Sequence, residues 1–263
     1  MRIVVLVKPV PDPASGGERL RPDDWRLDRS AAPAVVNGND EYALEAALKL
    51  IEAHGGEVVV LSMAPANAPE TMRKALAMGA QSGVLVTDER LAGSDTLSTA
   101  RILAAALGTL EFDLALAGVD TSDGVAGVVP PAVAALRRLP YLSYAAKIEP
   151  ETETGTVRVN RISPTGYDVL EAPMPALISC TQALGEPRYP SLKGIMAARS
   201  KEIRTFAVGD LGLDEASVGG AVATTEVLGA EAPPPRPPTR VVREAPDVAA
   251  REIVAFLAER RLI

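Results

Sequence analysis

NGNDEYALEAALKLIEAHGGEVVVL, residues 37–61, is the stretch of sequence that decides the fold. Apolar side chains recur at helical spacing between residues 40 and 53, which predicts an amphipathic helix. Gly55 and Gly56 follow and predict the end of that helix. The residues from Val58 to Leu61 are aliphatic without interruption, which is typical of a strand buried on both faces of a parallel sheet.

The same alternation of strand and helix extends in both directions from this stretch. Further buried strands are predicted at residues 3–7, 83–86 and 113–117. Further helices are predicted at residues 70–78, 94–107 and 128–138. Four such alternations predict an α/β fold with a doubly wound, mostly parallel sheet. Short strands predicted at residues 144–148, 156–161 and 168–170 add an antiparallel meander, and residues 176–181 predict another buried strand.

The last third of the chain has a different pattern. Residues 186–199 begin with prolines and then become helical, and the proline-rich run 232–238 predicts an extended segment. Residues 247–261 predict a final amphipathic helix. Because residues 183–263 contain too few core strands to fold alone, we predict an extended C-terminal arm that packs on the body or on a partner.

Composition excludes several classes of function. The net charge of −7 makes a nucleic-acid surface improbable. A single cysteine, Cys180, rules out a disulfide framework and a cysteine metal cluster. The sequence contains no apolar run of transmembrane length, so we expect no membrane insertion. Since a strand begins directly after Met1, we also expect no signal peptide and a cytoplasmic location.

Side chains that could support catalysis are scarce. The one histidine, His54, lies at the end of the first predicted helix, where a structural role is expected. Cys180 ends a buried strand and is interpreted as an inert core thiol. A Ser-His-Asp or Cys-His arrangement would have to use His54, whose position is wrong for it. The sequence therefore predicts a protein without catalytic residues of its own.

Three loops follow predicted parallel strands or lead into a helix, at the edge where open α/β sheets bind ligands. The first loop is residues 7–9, the second is residues 37–40, and the third is residues 118–127. The third loop carries glycines that let the backbone approach a ligand, and a helix N-terminus that offers N–H groups to phosphate. A plain strand-to-helix connection explains the third loop equally well, and Asn37 and Asn39 are also typical helix caps.

Four segments together resemble the electron-transferring flavoprotein beta subunit over nearly the whole chain. VVLVK at residues 4–8 is similar to the family's first strand, and NGNDEYALEAAL at residues 37–48 resembles its Asn-Pro turn and helix. TMRKALAMG at residues 71–79 is similar to another family helix. EPRYPSLKGIMA at residues 186–197 resembles the family's recognition-loop motif most closely.

The resemblance implies a heterodimer with an alpha subunit that holds most of the FAD. It implies that this subunit binds AMP and carries electrons from acyl-CoA or related flavin dehydrogenases toward the respiratory chain. In bifurcating members a second FAD takes the AMP position, but the third loop lacks the run common in them, which favours AMP. Residues 1–182 would form the adenine-nucleotide-binding α/β domain, and residues 183–263 the recognition loop and the arm that packs on the alpha subunit.

The resemblance also implies roles for individual residues. The residues expected around the adenosine are Leu6, Val7, Lys8, Asn37, Gly38, Asn39 and Met63. Those expected around the phosphate are Thr121, Ser122, Asp123, Gly124, Val125, Ala126, Gly127, Val128 and Val129. Leu192 would be an apolar anchor inserted into a partner dehydrogenase, on a rim of Pro187, Arg188 and Tyr189. The simpler interpretation is that Leu192 only packs against the start of its helix.

The chain departs from the family pattern at two further points. The expected Asn-Pro turn is Asn37-Gly38 here, and residues 161–171 lack the acidic, glycine-rich turn of the family. We therefore expect no flavin contact in that meander. Two alternatives stay open: an adenine-nucleotide-binding enzyme or stress-type sensor of the same fold that acts alone, and a structural partner that has lost its nucleotide.

Overall fold

The computed structural model describes residues 1–16, 19–231, 234–235, 238–239 and 241–263. These residues divide into two compact units, Met1–Leu228 and Gly229–Ile263. Within the described ranges, the first unit contains eleven strands and five α-helices, and the second contains one α-helix.

The strands are β1 (Arg2–Leu6), β2 (Pro9–Pro11), β3 (Ala34–Val36), β4 (Glu57–Met63), β5 (Ser82–Val86), β6 (Leu114–Gly118), β7 (Tyr141–Glu151), β8 (Thr156–Ser163), β9 (Gly166–Pro173), β10 (Ala176–Cys180) and β11 (Ile203–Phe206). The helices are α1 (Gly38–His54), α2 (Pro69–Met78), α3 (Thr96–Leu107), α4 (Val129–Arg137), α5 (Leu192–Ala198) and α6 (Pro246–Glu259). Every strand and helix predicted from the sequence is present, with ends that shift by a few residues.

Nine strands form one sheet in the order β11-β5-β4-β1-β6-β10-β7-β8-β9. The seven strands from β11 to β7 are parallel, and β8 and β9 extend the sheet as an antiparallel meander. β2 and β3 pair separately as a short antiparallel ribbon. The predicted fold class, a doubly wound and mostly parallel sheet with an added meander, is confirmed.

The sheet has a hydrophobic core on each face because side chains of its strands alternate in direction. Ile3 and Val5 of β1 pack in one cluster with residues of α1 and α2. Val4 and Leu6 of the same strand pack in the other cluster with residues of α3 and α4. All four of these β1 side chains are buried, which explains why the strand reads as a continuous aliphatic run.

Residues after 182 contribute to this sheet as well as to loops. β11 was absent from the sequence prediction, and it pairs in parallel with β5 at the edge of the sheet. The first compact unit continues through Leu228.

The second unit contains α6, which corresponds to the final predicted helix and exposes Ile253 and Phe256. Part of the predicted extended run at residues 232–238 lies outside the described residues. Among the described helices, none is both long and apolar enough to cross a membrane.

Candidate functional site

The order of the strands creates a crevice between β1 and β6. The chain leaves β1 toward β4 and β5 on one side, and it returns through α3 to β6 on the other side. Ligands of open α/β sheets bind at such a switch point, beyond the carboxyl ends of the strands. A cavity of about 310 Å³ lies there, and its wall includes residues of β1, β4, β6, the loops that follow β1 and β6, and the start of α3.

Nine of the sequence-predicted cofactor residues lie in the cavity wall: Leu6, Val7, Lys8, Met63, Thr121, Gly124, Ala126, Gly127 and Val129. The wall does not include seven others: Asn37, Gly38, Asn39, Ser122, Asp123, Val125 and Val128. Three of these seven, Asn37, Asn39 and Asp123, instead make side-chain hydrogen bonds to residues of the wall or of the third loop.

Asp123 anchors two cations at the cavity. Its carboxylate accepts hydrogen bonds from Lys8 Nζ at 2.8 Å and from Arg29 Nη2 at 2.5 Å. Its side chain is 1% exposed, whereas those of Lys8 and Arg29 are 39% and 46% exposed. Burial acts to raise the pKa of the Asp123 carboxyl, but the hydrogen bonds from Lys8, Thr121 and Arg29 outweigh it and hold that pKa below its usual value.

Arg29 lies in the excursion between β2 and β3, and the sequence alone did not identify it as a site residue. Its guanidinium bridges that excursion to the third loop and lies in the cavity wall. Lys8 Nζ also contacts Thr121 Oγ1 at 3.3 Å. The mouth of the cavity therefore carries two cations that share one buried carboxylate, which leaves one net positive charge.

The two asparagines of the second loop fix the third loop. Asn37 precedes α1, but its side chain bonds the third loop instead of the helix: Nδ2 donates to Asp120 O at 2.9 Å, and Oδ1 accepts from Ser122 N at 3.1 Å. Asn39 Nδ2 donates to Asp120 Oδ1 at 2.6 Å. Asn37 therefore occupies the predicted N-cap position of α1, but its side chain makes no capping bond, because its amide satisfies backbone groups of another loop.

Asp40 joins the ends of β1 and β6. One of its oxygens accepts Lys8 N at 2.8 Å, and the other accepts Gly118 N at 3.1 Å. Burial raises the pKa of the Asp40 carboxyl to about 7, while these backbone donors act in the opposite direction. A β-carbon at Gly118 would lie 2.6 Å from Asp40 Oδ1, so only glycine permits β6 to approach α1 this closely.

The backbone of the third loop is shaped to present N–H groups. Val125 has φ 45° and Gly127 has φ 62°, and the N–H of Val125 turns back to Thr121 O at 2.8 Å. Pro130 and Pro131 remove two donors from the first turn of α4. The sequence predicted that the N-terminus of this helix offers several N–H groups to a phosphate. In the structure, only Val129 of the first three residues of α4 has a backbone N–H group. In the described part of the chain, the N–H groups of residues 126–129 donate to no protein group, and such a run is suited to an anion.

The start of α3, a helix that the sequence predicted, forms the opposite wall of the cavity, a role that sequence reasoning missed. Ser94, Asp95, Thr96 and Thr99 all line the cavity. Asp95 caps α3, since its Oδ1 accepts Ser98 N at 2.8 Å. That bond, with others from Thr224, lowers the pKa of the Asp95 carboxyl well below its usual value. The Ser-Asp-Thr sequence before the helix is a capping signal that could have identified this wall.

The recognition-loop segment is held by Arg188. Its guanidinium donates to Glu45 Oε2 at 2.7 Å and also pairs with Glu52, both on α1. Tyr189 is 95% exposed and Leu192 is 79% exposed. Arg188 therefore holds the recognition-loop segment on α1 through two ion pairs. Leu192 is too exposed to pack against the start of α5. Pro187 is half-buried beside them.

The remaining candidates for chemistry, Cys180 and His54, do not line the cavity. Cys180 is fully buried, and burial raises the pKa of its thiol far above the usual range. His54 is exposed in the last turn of α1. Within the described ranges, no group of three or more His, Cys, Asp or Glu side chains is placed to hold a metal ion. The described residues of the site can bind and orient a ligand.

Comparison with known proteins matches this arrangement to one family. The family model described as electron transfer flavoprotein domain matches residues 24–211. Electron transfer flavoprotein subunit beta of Mycobacterium tuberculosis is 38% identical over 99% of both chains. The same subunit of Clostridium acetobutylicum is 34% identical over the full length of both. The caffeyl-CoA reductase-Etf complex subunit CarD of Acetobacterium woodii is 35% identical over 89% of this chain and 88% of its own. The chain therefore belongs to the electron transfer flavoprotein beta-subunit family.

Proposed function

We propose that this chain pairs with an alpha subunit, which holds most of the FAD, and that the heterodimer passes electrons from flavin dehydrogenases to the respiratory chain. Members of the family are electron carriers and not enzymes in the ordinary sense. Acyl-CoA dehydrogenases or related flavin dehydrogenases are the proposed donors. The Acetobacterium woodii relative is named as a subunit of a caffeyl-CoA reductase-Etf complex, which supports a partnership with a dehydrogenase-type flavoenzyme. The cytoplasmic location stays a prediction.

We propose further that the cavity between β1 and β6 binds AMP. The observation that carries this proposal is the run of unbonded N–H groups at residues 126–129 beside the Lys8 and Arg29 cations. Together they offer a phosphate hydrogen bonds and a local cluster of Lys8, Arg29 and Asp123 whose summed charge is +1. The volume of about 310 Å³ is at the small end of the range of about 300–1,000 Å³ for ligand pockets, which favours a mononucleotide.

The walls of the cavity divide into polar and apolar parts. Leu6, Leu61, Met63 and Leu103 offer aliphatic and thioether surface, which suits the flat face of a base. Thr121 offers a hydroxyl beside Lys8. Because the second loop braces the third loop through Asn37 and Asn39, we assign those asparagines to supporting the phosphate loop, although the resemblance implies adenosine contacts for them.

The direct test of the nucleotide is mass spectrometry of small molecules released from the purified full-length chain. We expect AMP at about one equivalent per chain. Stoichiometric FAD on the isolated chain would overturn the AMP assignment. Turnover of ATP by the chain alone would instead support the alternative of an independent enzyme.

We propose that Leu192 contacts the partner dehydrogenase. Leu192→Ala should slow electron transfer from the dehydrogenase, because the substitution removes the exposed leucine side chain. The ion pairs of Arg188 that hold the loop remain. Leu136→Ala is a matched control, since Leu136 is 51% exposed on α4. Both variants should retain the heterodimer. An unchanged transfer rate in Leu192→Ala would refute the anchor role.

A further inference from the structure

Residues 215–225, which we call the strap, lie across the loop between β5 and α3. The strap contains two short 3-10 turns, Glu215–Ser217 and Gly219–Val222. Glu215 pairs with Arg90, and Gly220 N donates to Ala92 O at 3.0 Å. A β-carbon at Gly219 would lie 1.9 Å from Arg90 O, so the backbone of the strap rests directly on this loop.

The end of the strap is held by a residue of the cavity wall. Asp95 Oδ2 accepts three hydrogen bonds from the strap: Thr224 N at 2.7 Å, Thr224 Oγ1 at 3.0 Å and Thr225 N at 3.1 Å. The other oxygen of the same carboxylate caps α3 through Ser98 N. Thr224 and Thr225 are exposed. Their backbone is held in place by the hydrogen bonds that the Asp95 carboxylate accepts from them.

The charge of Asp95 gives this contact a consequence for the cavity. With the strap docked, four uncharged N–H and O–H donors stabilise the carboxylate by hydrogen bonding, while its charge stays −1. With the end of the strap released, three of those donors leave, and a poorly compensated negative charge stands in the wall of a cavity that also includes Asp40 and Asp120. Such a charge repels an anionic ligand, so an anionic nucleotide binds better when the strap is docked.

We propose that Asp95 is a positioning residue that couples nucleotide binding in the cavity to docking of the strap. This inference rests on the proposed AMP site. It requires two states of one segment, Ala223–Thr225 docked on or released from Asp95, and a ligand that prefers one of them. Because coupling between two equilibria is reciprocal, bound AMP must in turn favour the docked strap.

The first experiment measures amide hydrogen exchange of the full-length, nucleotide-freed chain with and without AMP. AMP should slow exchange at Thr224 and Thr225 by about fivefold, the lower end of typical coupling factors. In Asp95→Asn the cap on Ser98 is kept by the amide oxygen, but Nδ2 has no lone pair for the strap. Exchange at these two residues should then be fast and independent of AMP.

The second experiment is a double-mutant cycle on AMP affinity. Thr224→Pro removes the shortest of the three strap contacts together with the hydroxyl and leaves the Asp95 charge. It should weaken AMP binding by about fivefold in the native background, the same coupling factor as above. In the Asp95→Asn background the same substitution should change affinity by less than about twofold. Val227→Pro is the matched control, because in the described part of the chain the Val227 N–H donates to no group.

The outcomes separate this inference from the proposed function. Failure of the native chain to bind AMP overturns both. Binding of AMP with unchanged exchange at Thr224 and Thr225 overturns the coupling and leaves the AMP site intact. An equal loss of affinity from Thr224→Pro in both backgrounds also overturns the coupling, because the effect would not pass through Asp95.

Discussion

Asp123→Asn tests whether one buried carboxylate holds the cavity mouth together. The substitution keeps the size of the side chain and one acceptor oxygen but removes the charge shared by Lys8 and Arg29. Breaking a buried ion pair on one side costs about 3–5 kcal/mol, and an exposed pair contributes about 0–1 kcal/mol. The carboxylate is buried and both cations are more than one-third exposed, so we expect a loss of about 2 kcal/mol, between these limits.

Urea unfolding followed by circular dichroism measures this loss. With a slope of about 3 kcal/mol per molar urea, the midpoint at pH 7 should fall by about 0.7 M. The pKa of Asp123 is lowered in the folded state, so its contribution is present above the unfolded pKa of about 3.9. The contribution is lost as the pH falls through the lower, folded pKa. The difference between the native chain and the variant should therefore narrow below about pH 4.

Glu171→Gln is the control for a carboxylate-to-amide change at an exposed pair. Glu171 pairs with Arg158, and both side chains are more than half exposed. Its effect should stay within about 0.5 kcal/mol. Equal urea midpoints for the native chain and Asp123→Asn at pH 7 would refute the stabilising role of Asp123. Equal losses of unfolding free energy in Asp123→Asn and Glu171→Gln would show that burial of the carboxylate does not determine the loss.

The other predictions concern packing and reactivity. Gly118→Ala should lower stability by about 2 kcal/mol or more, because its β-carbon would lie 2.6 Å from a buried carboxylate oxygen. Gly38→Ala, measured by the same urea unfolding, should be within about 0.5 kcal/mol of the native chain, since in the described structure nothing lies within 4 Å of its β-carbon. Arg188→Ala should cost about 3 kcal/mol and speed amide exchange in the recognition loop, because the buried Glu45 loses its hydrogen-bonded guanidinium and keeps only Lys49 Nζ at 3.7 Å. Unchanged exchange would contradict this prediction. Cys180 should react with a thiol reagent only as fast as the first unit unfolds, and rapid labelling of the native chain would disprove its burial.

Much of the fold could be predicted because its information is local. Periodicity of 3.6 residues identified α1, and the aliphatic runs identified β1 and β4, since a buried strand must be apolar on both faces. β11 was missed because IRTF is short, carries an arginine and has no fully buried residue, which an edge strand with one unpaired side tolerates. Its pairing with β5 depends on where the chain returns after α5, which no local pattern encodes.

The candidate site could be predicted only in part, because its contacts are long-range. The loops after β1 and β6 were identified from the rule for parallel sheets. Arg29 and Asp95 were not, since each becomes a site residue only through a partner about 90 or more positions away, Asp123 and Thr224 respectively. Asn37 shows the same limit, because its side chain had a plausible local partner in the helix and uses a distant one.

The place of β10 in the sheet has a consequence for the order in which the chain folds. β6 and β7 are consecutive strands of the large sheet, yet β10 separates them. When synthesis has passed residue 173, the meander of β7, β8 and β9 is complete, but the strand that must lie beside β6 is still missing. Because β7, β8 and β9 pair only with their neighbours in sequence within the meander, they can form as a local unit before β10 is available. Until β10 is made, β6 has no neighbouring strand on that side, and an unpaired strand flank of this kind favours mispairing and aggregation of the nascent chain.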